Sequence, residues 1–195
     1  MIIVGVGVGP NMLTQEAIEA IRNASLIYGS SRAIELAKEY IQGETHIIEN
    51  YKQLHLLPSD AVVLSTGDPM FSGLGKFAGE NDKVITGISS VQASCARFHV
   101  EMSNLGMITA HGRDPSAAKQ ALIREVGLGK NVFLLPAENF GCWEVADLLG
   151  KIGVDAKICL YENIGYPEER AVIGSVKNPP VAKSDMYCLL IVQVK

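Results

Sequence analysis

A chain of 195 residues suits one large domain or two small, closely packed ones, and with 48% hydrophobic but only 6% aromatic residues its cores must be aliphatic. The net charge of -4 argues against a broad nucleic-acid-binding face, which needs a basic footprint. No run of about eighteen apolar residues occurs, so no membrane-spanning helix is expected.

Met1–Val6 is an apolar run broken by glycine, as expected of a strand buried on both faces. It has neither the basic flank nor the apolar length of a secretory signal, so a cytoplasmic protein is expected. A helix follows from about Thr14, its N-cap, with Leu13, Ala17, Ile18, Ile21 and Ala24 on one face. Leu26–Tyr28 predicts a second strand, Ser31–Tyr40 a helix, and Thr45–Ile48, Ala61–Ser65 and Lys83–Thr86 three further strands. A helix from about Ser90 to Phe98 ends this half. Strands separated by helices imply crossovers and a mainly parallel sheet. In the second half Leu105–Thr109, Asn131–Leu135 and Ala156–Tyr161 read as strands, spaced by helices at about Pro115–Val126 and Phe140–Leu149. Two final strands, Arg170–Ser175 and Met186–Val194, have no helix between them, which favours a mixed sheet. The fold class is therefore α/β in two domains, 1–101 and 102–195, divided near the polar stretch His99–Asn104.

Cys95, Cys142, Cys159 and Cys188 are far apart with no C-x-x-C pair, which predicts reduced, mostly buried thiols and no metal site. Trp143 and the methionines read as core or helix packing.

Three turns at strand ends carry the functional signal. The first strand runs into Gly5-Val6-Gly7-Val8-Gly9-Pro10. This is no dinucleotide fingerprint: the sixth position counted from Gly5 is Pro10 and from Gly7 is Met12, and the second strand ends Tyr28-Gly29-Ser30 without a ribose-binding acid. No Gly-Lys-Ser/Thr phosphate loop occurs. The glycines still let backbone approach a ligand or a neighbouring strand. The fourth strand delivers Thr66-Gly67-Asp68-Pro69-Met70-Phe71-Ser72-Gly73, and the fifth ends at Gly87-Ile88-Ser89-Ser90. Asp68 would lie near a bound cation, or hold its own turn as an Asx-type residue.

Together these turns resemble the tetrapyrrole methylase family. The matching segments are Gly5–Pro10 with Leu13-Thr14, Gly67–Gly73, and Gly87–Ser90; Thr86 stands where the family usually has proline. His111-Gly112-Arg113-Asp114 and Glu162–Arg170 are similar to the branch that methylates C-5 of the corrin macrocycle on the route to cobalamin. The resemblance covers essentially the whole chain. It implies two α/β domains with S-adenosylmethionine as methyl donor, folded in the cleft between them. It implies cofactor contacts at Gly9, Pro10, Thr66, Gly67, Asp68, Phe71, Ser89 and Ser90, and adenine-side contacts around Leu135 and Pro136. It further implies a homodimer, a tetrapyrrole (cobalt-precorrin) substrate, and a separate protein for the C-15 methylation and decarboxylation fused to this activity in some relatives.

An activated methyl donor needs no nucleophilic side chain, so binding turns rather than a catalytic triad are expected. His111 is a candidate acid or base for proton movement on the ring, and otherwise a structural histidine. Arg113 is a candidate clamp for a peripheral carboxylate, and otherwise a salt-bridge partner of Asp114. Glu162, Asn163 and Arg170 brace the second domain. The alternatives are methylation at another ring carbon, relatives acting on ribosomal RNA or a modified histidine, and a non-catalytic S-adenosylmethionine-binding regulator.

Overall fold

The computed structural model describes residues 1–194, and packing divides them into two compact units, Met1–Ser90 and a second beginning at Val91. In the first, β1 (Ile2–Gly5), β2 (Leu26–Gly29), β3 (Glu44–Ile47), β4 (Val62–Ser65) and β5 (Lys83–Ile85) form a sheet in the order β3-β2-β4-β1-β5. Every pairing in it is parallel. The helices α1 (Gln15–Arg22) and α2 (Ser31–Ala37) follow β1 and β2. The central strands are apolar along Ile2–Val4 and Val62–Leu64 because both faces are covered. Val4, Val62, Leu64 and Ile85 pack with Ala17 and Ile21 of α1 and Ala33 of α2, while Ile3 and Val63 meet Ile48 and Leu54 on the other side.

Thr14 caps α1 as its sequence predicts, its hydroxyl accepting the Ala17 amide at 3.2 Å. The second helix is shorter than expected: it ends at Ala37, and Lys38–Tyr40 tightens into a 3-10 turn. Further 3-10 turns at Tyr51–Leu56, Leu74–Phe77 and Met102–Asn104 carry too few residues to show a period in sequence.

α3 (Ser90–Phe98) opens on the last residue of the first unit, and the second unit continues with β6 (Leu105–Thr109), α4 (Ser116–Gly127), β7 (Asn131–Leu135), α5 (Cys142–Lys151), β8 (Ala156–Glu162), β9 (Arg170–Ser175) and β10 (Tyr187–Gln193). The sheet runs β6-β7-β10-β8-β9, and only β6 and β7 pair in parallel. This is the mixed sheet anticipated from the missing last helix. Leu122 and Val126 of α4 and Val145 and Leu149 of α5 pack on Leu134, Ile158, Leu160, Leu189 and Ile191. Each such side chain, fully buried, contributes about 1.5–3 kcal/mol.

Trp143 corrects the packing expectation: on α5 it is 62% exposed, and Met70, Met102, Met107 and Met186 are exposed as well. A helix has an outer face, and the indole falls on it. Among the described residues no helix is long and apolar enough to cross a membrane.

All four cysteines are unpaired and buried. Burial pushes the thiols of Cys142 and Cys159 up to about 11 and that of Cys188 to about 12, and it raises Cys95 too. A raised thiol pKa means less thiolate, the reactive form, at any neutral pH. A disulfide reagent at pH 8 should therefore titrate almost no thiol in the native protein and all four after denaturation. Rapid native reaction of any one would contradict this packing.

Candidate functional site

The three Gly-containing turns leave neighbouring strands. β4, β1 and β5 lie side by side, so their carboxyl ends deliver Thr66–Gly73, Val6–Pro10 and Thr86–Ser89 to one edge of the first sheet. That edge is where open α/β sheets take ligands. Gly7 and Gly67 exchange backbone hydrogen bonds, Gly67 N–H to Gly7 O at 2.8 Å and Gly7 N–H to Gly67 O at 3.3 Å. The Val8 amide donates to Ile88 O at 2.9 Å.

Glycine is demanded here by close approach. A Cβ on Gly87 would stand 2.2 Å from Gly67 O, and one on Gly5 would stand 2.5 Å from Gly87 N. Gly67 differs. It adopts φ +68, yet nothing lies within 4 Å of where its Cβ would be. Its open side is unfilled by protein, unlike the crowded sides of Gly5 and Gly87.

The candidate cofactor residues of the first unit, Gly9, Pro10, Thr66, Gly67, Asp68, Phe71 and Ser89, are brought to this edge, with Ser90 opening α3 just beyond it. Asp68 Oδ1 accepts the Met70 amide at 2.8 Å, an Asx-type turn, and Oδ2 accepts the Gly87 amide at 3.1 Å. Its carboxylate thus staples the β4 turn to the β5 turn. Phe71 is half-buried and Ser89 is buried. Gly9 is buried, and among the described residues its amide has no hydrogen-bond partner. Buried amides are nearly always paired, so this one marks a place for an external acceptor. The orphaned donor and the open side of Gly67 fit a small polar ligand bearing acceptor groups, such as S-adenosylmethionine.

The remaining candidates gather in the second unit. β6 and β7 are parallel with Thr109 opposite Leu135, so His111, Arg113, Leu135 and Pro136 lie at or just past one pair of strand ends. The Ala110 amide donates to Leu135 O at 2.8 Å and fixes the two exits together. His111 and Arg113 are exposed on a turn that reverses at Gly112, φ +66. Asp114 does not pair with Arg113. Its Oδ1 accepts the amide and hydroxyl of Ser116 at the start of α4, and among the described residues the Arg113 guanidinium has no ion-pair partner.

Glu162 is 1% exposed at the end of β8. Its carboxylate accepts Arg170 Nε at 2.5 Å and the Lys183 and Ser184 amides at 2.5 and 3.0 Å. Arg170 also donates to Val181 O. The pair pins the segment leading into β10, the bracing role expected of it. A further residue was invisible in the sequence: Arg32 of α2 donates Nη2 to Val8 O at 2.6 Å. It belongs to no local motif, and only the strand order brings it to the first turn.

Comparison with known proteins gives the family and the fold. The family model for Tetrapyrrole (Corrin/Porphyrin) Methylases matches residues 1–180. The chain is 32% identical to a probable cobalt-precorrin-7 C(5)-methyltransferase of Methanocaldococcus jannaschii, over 97% of this chain and 94% of that one. It is 25% identical to a precorrin-6Y C(5,15)-methyltransferase [decarboxylating] of Mycobacterium tuberculosis, covering 98% of this chain but only 51% of that protein. Among solved structures, the cobalamin biosynthesis precorrin-6Y methylase of Archaeoglobus fulgidus superposes with a TM-score of 0.73 at 26% identity, over 100% of this chain and 98% of that one. With turns, sheet order and full-length similarity in agreement, the chain belongs to the tetrapyrrole methylase family.

Proposed function

We propose that this protein transfers a methyl group from S-adenosylmethionine to C-5 of a precorrin macrocycle, cobalt-precorrin-7, in cobalamin biosynthesis. The observation that carries the reading is the interlocked trio of turns at the ends of β4, β1 and β5, with the Gly9 amide unpartnered among the described residues and Gly67 open. The C-5 position rests on similarity to the M. jannaschii relative along nearly its whole length.

S-adenosylmethionine, when bound, supplies a methyl group already activated on a sulfonium. The protein's task is then to hold two reactants in line, which supplies on the order of 7–11 kcal/mol of a barrier. Gly9, Pro10, Thr66, Gly67, Asp68, Phe71, Ser89 and Ser90 shape the donor side, Asp68 chiefly by holding two turns together. Leu135 and Pro136 meet the adenine. Arg113, whose guanidinium has no ion-pair partner among the described residues, takes a peripheral carboxylate of the acceptor through its planar fork. His111 moves a proton on the ring.

In the same reading the functional domains are 1–101, with the donor turns, and 102–195, and the protein works as a cytoplasmic homodimer on a soluble acceptor, without nucleic acid or membrane. The chain spans about half the length of the M. tuberculosis C(5,15) relative, whose name joins both activities.

The donor half is tested by calorimetry. S-adenosylhomocysteine should bind with roughly micromolar affinity, about -8 kcal/mol, and NAD and ATP should not compete. Tight NAD binding with no response to S-adenosylhomocysteine would overturn the reading.

A further inference from the structure

We infer that Arg32 is a positioning residue for the methyl-donor turn, setting the direction of the Gly9 amide by holding the Val8 carbonyl. The inference rests on the reading of Val6–Pro10 as a cofactor turn.

Arg32 stands in the first turn of α2, half-buried. That turn is pressed onto the sheet because Gly29 ends β2. A Cβ there would come within 3.2 Å of Leu64 Cβ and 3.3 Å of Ile34 Cγ1. Ser30 fixes where the helix begins, its hydroxyl accepting the Ala33 amide at 3.1 Å. From this base Arg32 reaches Val8 O at 2.6 Å. β2 and β1 are not neighbours, since β4 lies between them. No strand ladder can therefore join α2 to the first turn, and a long side chain makes the connection.

The consequence follows from the planarity of the peptide bond. The Val8 carbonyl and the Gly9 N–H belong to one rigid unit and point in opposite directions from it. Gly7 has φ +80 and Gly9 has no side chain, so the backbone flanking this unit is free to turn more than most. The Val8 amide anchors the preceding peptide to Ile88 O, but it does not fix the plane that contains the Gly9 N–H. Arg32 does. Its charge-assisted hydrogen bond also polarises that peptide, making the Gly9 amide a stronger donor. The orphaned amide is thus an aimed group, and the residue that aims it comes from a different helix.

Arg32→Met keeps the apolar stem and removes every donor, whereas Arg32→Lys restores one donor and the charge. In the unliganded protein, amide exchange at Val8, whose N–H is bonded to Ile88 O, should quicken about tenfold in Arg32→Met. Its dissociation constant for S-adenosylhomocysteine should rise about tenfold, as expected for one charge-assisted hydrogen bond. Arg32→Lys should stay within about threefold of wild type on both measures. In the wild type, which needs no variant to fold, added S-adenosylhomocysteine should slow exchange at Gly9. The inference is overturned if wild type binds S-adenosylhomocysteine and Arg32→Met binds it equally well, or if Gly9 exchange ignores the ligand. A wild type that fails to bind S-adenosylhomocysteine at all, while Arg32→Met still loosens the turn, overturns the cofactor reading itself and this inference with it.

Discussion

Glu162→Ala should lower the stability of the protein by about 3–5 kcal/mol, the usual cost of removing one partner from a buried ion pair. Glu162 is almost wholly buried and serves three donors, Arg170 and the amides of Lys183 and Ser184. Alanine leaves Arg170 Nε and both amides without their acceptor at a site only partly open to water. Arg170, with 28% of its side chain exposed, recovers part of its hydration, which favours the lower end of that range. For a chain of this size the melting temperature should fall by at least about 6 °C. Glu162→Gln keeps one acceptor oxygen and should recover roughly half of the loss. Paired thermal and urea denaturation of the three proteins measures this. A loss below about 1 kcal/mol for the alanine variant would mean that the segment before β10 is held by something else.

Arg113→Ala should lower affinity for the corrinoid acceptor roughly thirtyfold, at the lower end of what removal of a charged partner costs, because this side chain is exposed. Arg113→Lys retains the charge but not the bidentate fork and should fall between alanine and wild type. Affinity for S-adenosylhomocysteine should barely change, since the donor turns lie elsewhere in the chain. Stability should also hold, for Asp114 is engaged with Ser116 and loses no partner. Titration of each variant with each ligand checks all three statements. Equal loss for both ligands with a lowered melting temperature would assign Arg113 a structural role.

Most of the fold was legible because burial on both faces leaves a plain mark. Val62–Leu64 and Ile2–Val4 are apolar without alternation, and α1 shows its stripe and its Thr14 cap. Strand order left no such mark. Nothing local in the sequence tells that β4 lies between β2 and β1, and so nothing foretold that Arg32 meets Val8. The three turns were readable as ligand-edge loops, yet the reason for each glycine was not. Gly5 and Gly87 answer to backbone packing, whereas Gly67 has an open side. Asp68 and Glu162 both stood out as charged residues at strand ends. The structure separates their local bonds from their long-range ones, a distinction set by tertiary contact rather than by periodicity. Trp143 was misplaced for the converse reason. Its hydrophobicity argued for burial, but the helical face it occupies was already decided by Val145, Ala146 and Leu149.

The most direct test is a single-turnover reaction with cobalt-precorrin-7 and S-adenosylmethionine carrying carbon-13 in its methyl group, read by NMR of the product. One labelled methyl should appear, attached to C-5, with one S-adenosylhomocysteine formed for each and no loss of carbon dioxide. Label at any other ring carbon would contradict the C-5 assignment, and absence of transfer from a protein that binds both ligands would contradict the methyltransferase reading.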